Sequence, residues 1–266
     1  MWGSRSTDST AKLWNIRCCR RCNTTSLRVD LLPKTLHDPP MNLTDTAGLE
    51  KELLERFLRY AKIFTTSDDH VDKVPSTPGQ WDLLKLLERE LTGLGVADIN
   101  LTENGYLIGR IPAGGPPKKG VPVIGLMAHV DTSEEAPGEN VNPQIHPNYG
   151  GGIIQLKEGY SLDPAKIPHL ASYKGKTIIT SDGTTLLGAD DKAGLAIIMT
   201  AVHMLIKHPE YPHCPLEIIF NADEETARGT KYFPKDQVKA SFVYTLDGDR
   251  EGSLEAECFN AHKAVV

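Results

Sequence analysis

Apolar residues first recur at helical spacing from Leu49, with Leu53, Leu54, Phe57, Leu58 and Ala61 on one stripe, and predict a helix with one buried face. A second helix is punctuated more fully. Thr77 stands at the N-cap, Pro78 in the first turn and Gln80 three residues after the cap, followed by Leu83, Leu84, Leu87 and Leu91, with Gly93 as the stop. Both helices read as scaffold. The period then changes to two. Ile99 and Leu101 alternate up to Asn104-Gly105, a favoured two-residue hairpin turn, and Tyr106 to Ile111 returns. Val121, Val123, Ile124 and Leu126 mark a strand over Val121–Ala128, and Thr132 to Gly152 carries no clear period. Ile178-Ile179, Asp182-Gly183 and Leu186-Leu187 signal a second hairpin. From Lys192 the chain is apolar nearly all round, through Ala193, Leu195, Ile197, Ile198, Ala201, Val202, Leu205 and Ile206, the pattern of a buried helix. Short strands follow at Leu216–Phe220 and Phe242–Leu246, and no repeat or low-complexity block interrupts the sequence.

Strands alternating with helices predict an α/β fold, and 266 residues with 39% hydrophobic content suffice for a sizeable core. A net charge of −6 argues against a nucleic-acid or anionic-membrane surface. No apolar run approaches the roughly 20 residues that cross a bilayer. Cys18, Cys19 and Cys22 cluster while Cys214 and Cys258 are scattered, which is no secreted disulfide framework and points to a reducing compartment. Cys19 and Cys22 have the spacing of half a zinc knuckle, without a second pair nearby. Residues 1–48 differ from the rest. Arg5, Lys12, Arg17, Arg20, Arg21 and Arg28 face only Asp8 before Asp30, the composition of a disordered extension or of an organelle leader. The expected location is therefore cytoplasmic, with organelle import through this Arg/Ser-rich segment as the alternative.

The chemistry collects at element ends. The Val121 strand closes in His129 and Asp131, which at i and i+2 point to the same side. The turn before the buried helix holds Asp190 and Asp191, the Leu216 strand leads to Asp223, Glu224 and Glu225, and the Phe242 strand ends in Asp247. Taken singly these are ordinary turn aspartates, helix-dipole partners or solvated acids. Taken together they meet at the carboxyl edge of one sheet, where α/β proteins bind ligands. So many carboxylates need a counter-charge, and a divalent cation supplies it. One imidazole among oxygen donors suits zinc better than calcium or magnesium, with cobalt and manganese also open. A bridging carboxylate would serve two metals. In Glu224-Glu225 one carboxylate would then ligate while the other accepts a proton from the attacking water, as in a hydrolase.

Five blocks, "VPSTPGQW", "HVDTSEEAPGENVNPQI", "TLLGADDKAGLAIIMTA", "DEETARG" and "YTLDGDREGSLEAECFNA", resemble in order the peptidase T branch of the M20 family of dinuclear zinc peptidases. The likeness runs from about Leu53 to Ala261. It implies a three-layer αβα catalytic domain with a mixed sheet, over 49–260, with 261–266 as the start of a lid domain. It implies His129 and Asp247 as ligands of a first zinc, Asp190 as the bridge between two, Glu225 as ligand of the second, Asp131 as the partner orienting His129, and Glu224 as the general base. A cis peptide before Asp191 belongs to the same pattern. The implied substrate is a tripeptide losing its N-terminal residue, in a protein that can form homodimers. Chains of this family continue into the lid and return with a histidine that completes the second zinc. No remaining histidine here stands in that context, so the expectation is a C-terminally incomplete domain with exposed sheet edges and an open core. A dipeptide or other amide as substrate, or a zinc-binding chain without turnover, remain as alternatives. Thr226-Ala227 stands where the family pattern has a β-branched residue and a glycine, a mild deviation at the second position.

Overall fold

A computed structural model of the chain describes residues 46–116 and 119–248. Asp45–Asp247 form one compact unit, which contains every element and site residue described below. The basic leader and the Cys19/Cys22 pair fall outside the described residues.

Helix α1 runs Thr46–Ala61 and α2 Pro78–Gly93, each within a few residues of the predicted bounds. The α1 stripe is only half-buried at Leu49, Leu53, Leu54 and Leu58. The residues it buries are Arg56, Phe57, Tyr60 and Ala61. Arg56 tolerates burial because it pairs with Glu52 and Glu90, and the Tyr60 hydroxyl donates to Glu90 at 2.6 Å. In α2 the expected Leu83, Leu84, Leu87 and Leu91 are all buried.

β1 (Asp98–Leu101) and β2 (Leu107–Ile111) form the first predicted hairpin, antiparallel. Its connection spans Thr102–Tyr106, closed by Thr102 N–H to Tyr106 O at 2.8 Å, so it is longer than the two-residue turn expected from Asn104-Gly105. β3 (Ile124–His129) follows. The aperiodic stretch after Thr132 contains β4 (Gln144–His146), and beyond it lie β5 (Ile154–Gln155), β6 (Ser161–Leu162) and β7 (Ile178–Thr180). The second predicted hairpin does not form. β7 pairs with β4, and β5 with β6. Helix α3 (Ala189–Lys207), β8 (Leu216–Asn221) and β9 (Phe242–Thr245) complete the unit.

The main sheet has five strands in the order β1-β2-β8-β3-β9. β1, β2 and β8 pair antiparallel, whereas β8, β3 and β9 run parallel, so the α/β class and the mixed sheet are as expected. One core joins all three helices to alternate strand positions, including Leu107, Ile111, Leu216, Ile218, Phe220 and Ala128. These supply one helical layer of the αβα arrangement. On the opposite face Tyr106 donates to Gly229 O at 3.0 Å and meets Phe233 edge-on, while the buried Glu217 carboxylate accepts the N–H groups of Lys239 and Ala240. Segment 229–240 thus covers that side. β9 is an edge among the described residues, and its Phe242 and Tyr244 are exposed.

Candidate active site

The parallel trio β8-β3-β9 fixes where the chemistry gathers, because its strands end on the same side. His129 is the last residue of β3 and is 2% exposed. Its Nδ1 lies 3.0 Å from the Asp131 carbonyl oxygen and 3.3 Å from the Asp131 carboxylate, and its Nε2 lies 3.0 Å from Asp190 Oδ1. Asp247 and Glu224 carboxylates stand 3.8 and 3.9 Å from the same Nε2. His129, Asp190 and Asp247 offer ligand atoms all within 4.8 Å of one another, the imidazole buried and both carboxylates exposed. Three of the sequence-predicted residues, Asp190, Asp247 and Glu224, therefore converge on one imidazole nitrogen.

Burial pushes the His129 pKa down, but Asp131 and Asp190 outweigh it and hold the imidazolium up to about 11. Burial raises Glu224, Glu225 and Asp247, and nearby carboxylates add to each. Asp190 is lowered by its hydrogen bond to His129. The cluster thus sets several carboxylates around one imidazole, an arrangement that favours a positive charge at its centre. One nitrogen and two oxygen donors around a buried imidazole form a donor set that fits zinc.

Asp131 does more than face the imidazole. Fully buried, its two carboxylate oxygens accept the N–H groups of Glu224 and Glu225, each at 3.0 Å. One side chain therefore ties the end of β3 to the loop after β8. Asp191 plays a similar part on the other side, accepting the His129 N–H at 3.2 Å and the Gly194 N–H at 3.1 Å, and burial raises its pKa to about 8. The glycine is obligatory for this packing: a Cβ at Gly194 would lie 2.2 Å from Asp191 Oδ1 and 2.5 Å from the Leu246 carbonyl oxygen. The Asp190–Asp191 peptide is cis, and both residues leave helical geometry, so the start of α3 is no ordinary dipole-capped turn. Lys192 is buried beside them with its ammonium donating to Ile63 O at 2.7 Å, its pKa pushed down to about 8 by burial against the pull of Asp131.

Glu225 belongs to no three-donor group among the described residues. Asp223 was visible in the sequence only as one more strand-end acid. It is fully buried at φ 57, and its carboxylate takes hydrogen bonds from Ser76 N–H at 2.7 Å, the Ser76 hydroxyl and Gln80 Nε2 at 2.7 Å. Gln80 is thus no capping-box residue, and Thr77 makes no side-chain cap bond. Nothing in local spacing distinguishes a helix-start glutamine that turns inward from one that caps. Asp68, Asp69 and Glu134 form a second, more open cluster, made only of carboxylates.

No protein-family model matches the chain. It is 49% identical over 220 residues to peptidase T of Geobacillus kaustophilus, covering 82% of this chain and 53% of that protein. The chain resembles the N-terminal portion of peptidase T. Among solved structures it is similar to aminopeptidase PepT of Bacillus cereus, with a TM-score of 0.54 and 27% identity over 76% of this chain and 44% of that one. A tripeptidase of Staphylococcus aureus gives a TM-score of 0.52 and 25% identity over the same shares. The chain therefore spans about half the length of the peptidase T relatives it matches. No helix among the described residues is long and apolar enough to cross a membrane.

Proposed function

We propose that residues 46–248 form the N-terminal part of the catalytic domain of a zinc-dependent aminopeptidase that releases the N-terminal residue of tripeptides. The observation that carries this reading is the convergence of Asp190, Asp247 and Glu224 on the Nε2 of a buried His129 whose Nδ1 is already engaged by Asp131. His129, Asp190 and Asp247 would hold the first zinc, and Asp190 with Glu225 would contribute to a second. Zinc bound there supplies Lewis-acid polarisation of the scissile carbonyl. Asp131 fixes the tautomer and direction of His129. Glu224, half-exposed at the mouth of the site, takes the proton of the attacking water as the C–O bond forms and returns it to the amine, whose C–N bond then breaks. Burial raises the Glu224 carboxyl above its ordinary value, which strengthens it as a proton acceptor.

Zn²⁺ titration of the chelator-treated chain tests the metal. At least one equivalent binds tightly to the wild type and none to His129→Ala, and equal binding by the two would overturn the assignment. Hydrolysis of a panel of di- and tripeptides tests the chemistry. Glu224→Gln keeps the metal and loses about a hundredfold or more in kcat, the scale of one general base. A second reading, a chain that holds zinc without turnover, is favoured by Glu225 having no three-donor group among the described residues. Tight binding with no hydrolysis of any peptide in the panel would establish it.

A further inference from the structure

We infer that Gln80 and Asp223 form a reciprocal clamp that positions Glu224 and Glu225, so that the start of α2 belongs to the machinery of the site. This rests on the reading of Glu224 and Glu225 given above. Three consecutive amides of the loop after β8 are each assigned a buried acceptor. Asp223 N–H donates to Gln80 Oε1 at 3.1 Å, and Glu224 and Glu225 N–H donate to the two oxygens of Asp131. Gln80 also donates its Nε2 back to Asp223 Oδ1, making the pair two-way. Both side chains are fully buried. The Asp223 carboxylate is met by hydrogen-bond donors of Ser76 and Gln80 and by no cation among the ion pairs of the described residues, so its burial depends on that cradle.

The helix start is itself immobilised. A Cβ on Gly79 would sit 1.7 Å from the Phe64 carbonyl oxygen, and the Thr77 hydroxyl donates to Thr66 O at 2.8 Å. The 65–67 segment in turn exchanges backbone hydrogen bonds with Thr132, the neighbour of Asp131. Asp131 and Gln80 therefore grip the loop from two elements locked to one another, with Glu224 left as the side chain facing the site. Asp223 and Gln80 touch no reacting atom in this scheme and act as positioning residues.

The test exchanges donor and acceptor. Gln80→Glu sets a carboxylate against Asp223, while Gln80→Glu combined with Asp223→Asn restores a reciprocal pair with the amide on the other side. Amide hydrogen exchange is read at Glu224 and Glu225, which bond to Asp131 rather than to Gln80, and at Leu195 and Ile198 in the core of α3 as the global reference. Gln80→Glu speeds exchange at 224 and 225 by about tenfold or more, the scale of one hydrogen bond to a charged group, with the reference unchanged, and the double variant restores it. Should Gln80→Glu fail to fold, Gln80→Met removes the clamp without adding charge and is read in the same way. Unchanged exchange at 224 and 225, or an equal rise at all four amides, overturns the clamp. Zn²⁺ titration separates the two readings: a wild type that takes up no zinc defeats the proposed function, while the exchange data still decide the clamp.

Discussion

Ala227 holds φ 59 in the turn that carries Glu224 and Glu225, closed by its own N–H to Glu224 O at 2.7 Å. A Cβ in this left-handed region costs about 1–2 kcal/mol and glycine avoids it. Ala227→Gly is expected to raise stability by about 1 kcal/mol after its own entropy cost, seen as a higher urea midpoint, and an unchanged or lower midpoint would refute the argument. Asp131 and Glu224 make a sharper contrast. Removing the Asp131 carboxylate leaves the N–H groups of 224 and 225 without their acceptor, each at about 1–3 kcal/mol, so Asp131→Ala should destabilise the metal-free chain by about 3 kcal/mol. Glu224→Gln, half-exposed, should stay within about 0.5 kcal/mol. Equal losses in the two variants would mean that Asp131 does not bind the loop to β3.

At the scale of elements, α2 carries a paired prediction. Gly79 has backbone where a Cβ would go, whereas nothing lies within 4 Å of a Cβ on Gly93. Gly79→Ala should therefore cost about 3 kcal/mol or more and Gly93→Ala should gain up to about 1 kcal/mol from helix propensity, measured as opposite shifts in thermal midpoint. The same helix marks how far the sequence could be read. Its bounds and leucine stripe follow from a period of 3.6, which is a local property, and β3, β8 and β9 follow from short apolar runs between turn residues. The places of His129, Asp190, Glu224 and Asp247 were legible for the same reason, since parallel strands end on one side of a sheet. Partner choice was not legible. Ile178-Ile179 joins β4 more than 30 residues back because pairing is settled by the tertiary surroundings. Gln80 misled because a helix-start glutamine fits a capping box and an inward clamp equally well, and only the arrival of Asp223 selects between them.

Across the whole molecule, one polar knot ties the three helices into a single layer. Glu52, Arg56 and Tyr60 come from α1, Glu90 from α2 and His203 from α3; His203 Nδ1 lies 2.7 Å from Glu52 and Arg56 donates to both Glu52 and Glu90. Its acid response has a definite sign. Burial pushes the Glu52 carboxyl up, yet the hydrogen bonds from His203 and Arg56 outweigh it and hold the group below its ordinary 4.5. A carboxylate depressed in the folded state adds stability that is complete above the unfolded value and drains away as pH falls through the lower folded value. Urea midpoints of wild type and Glu52→Gln, taken from about pH 6 to about pH 3, follow this share as the difference between the two chains. The wild-type advantage should hold steady above about pH 5 and shrink steadily below it. An advantage that persists at the acid end would mean that the knot is held by packing of Arg56 and Tyr60 rather than by the Glu52 charge, and the coupling of α3 to α1 would then rest on the apolar core alone.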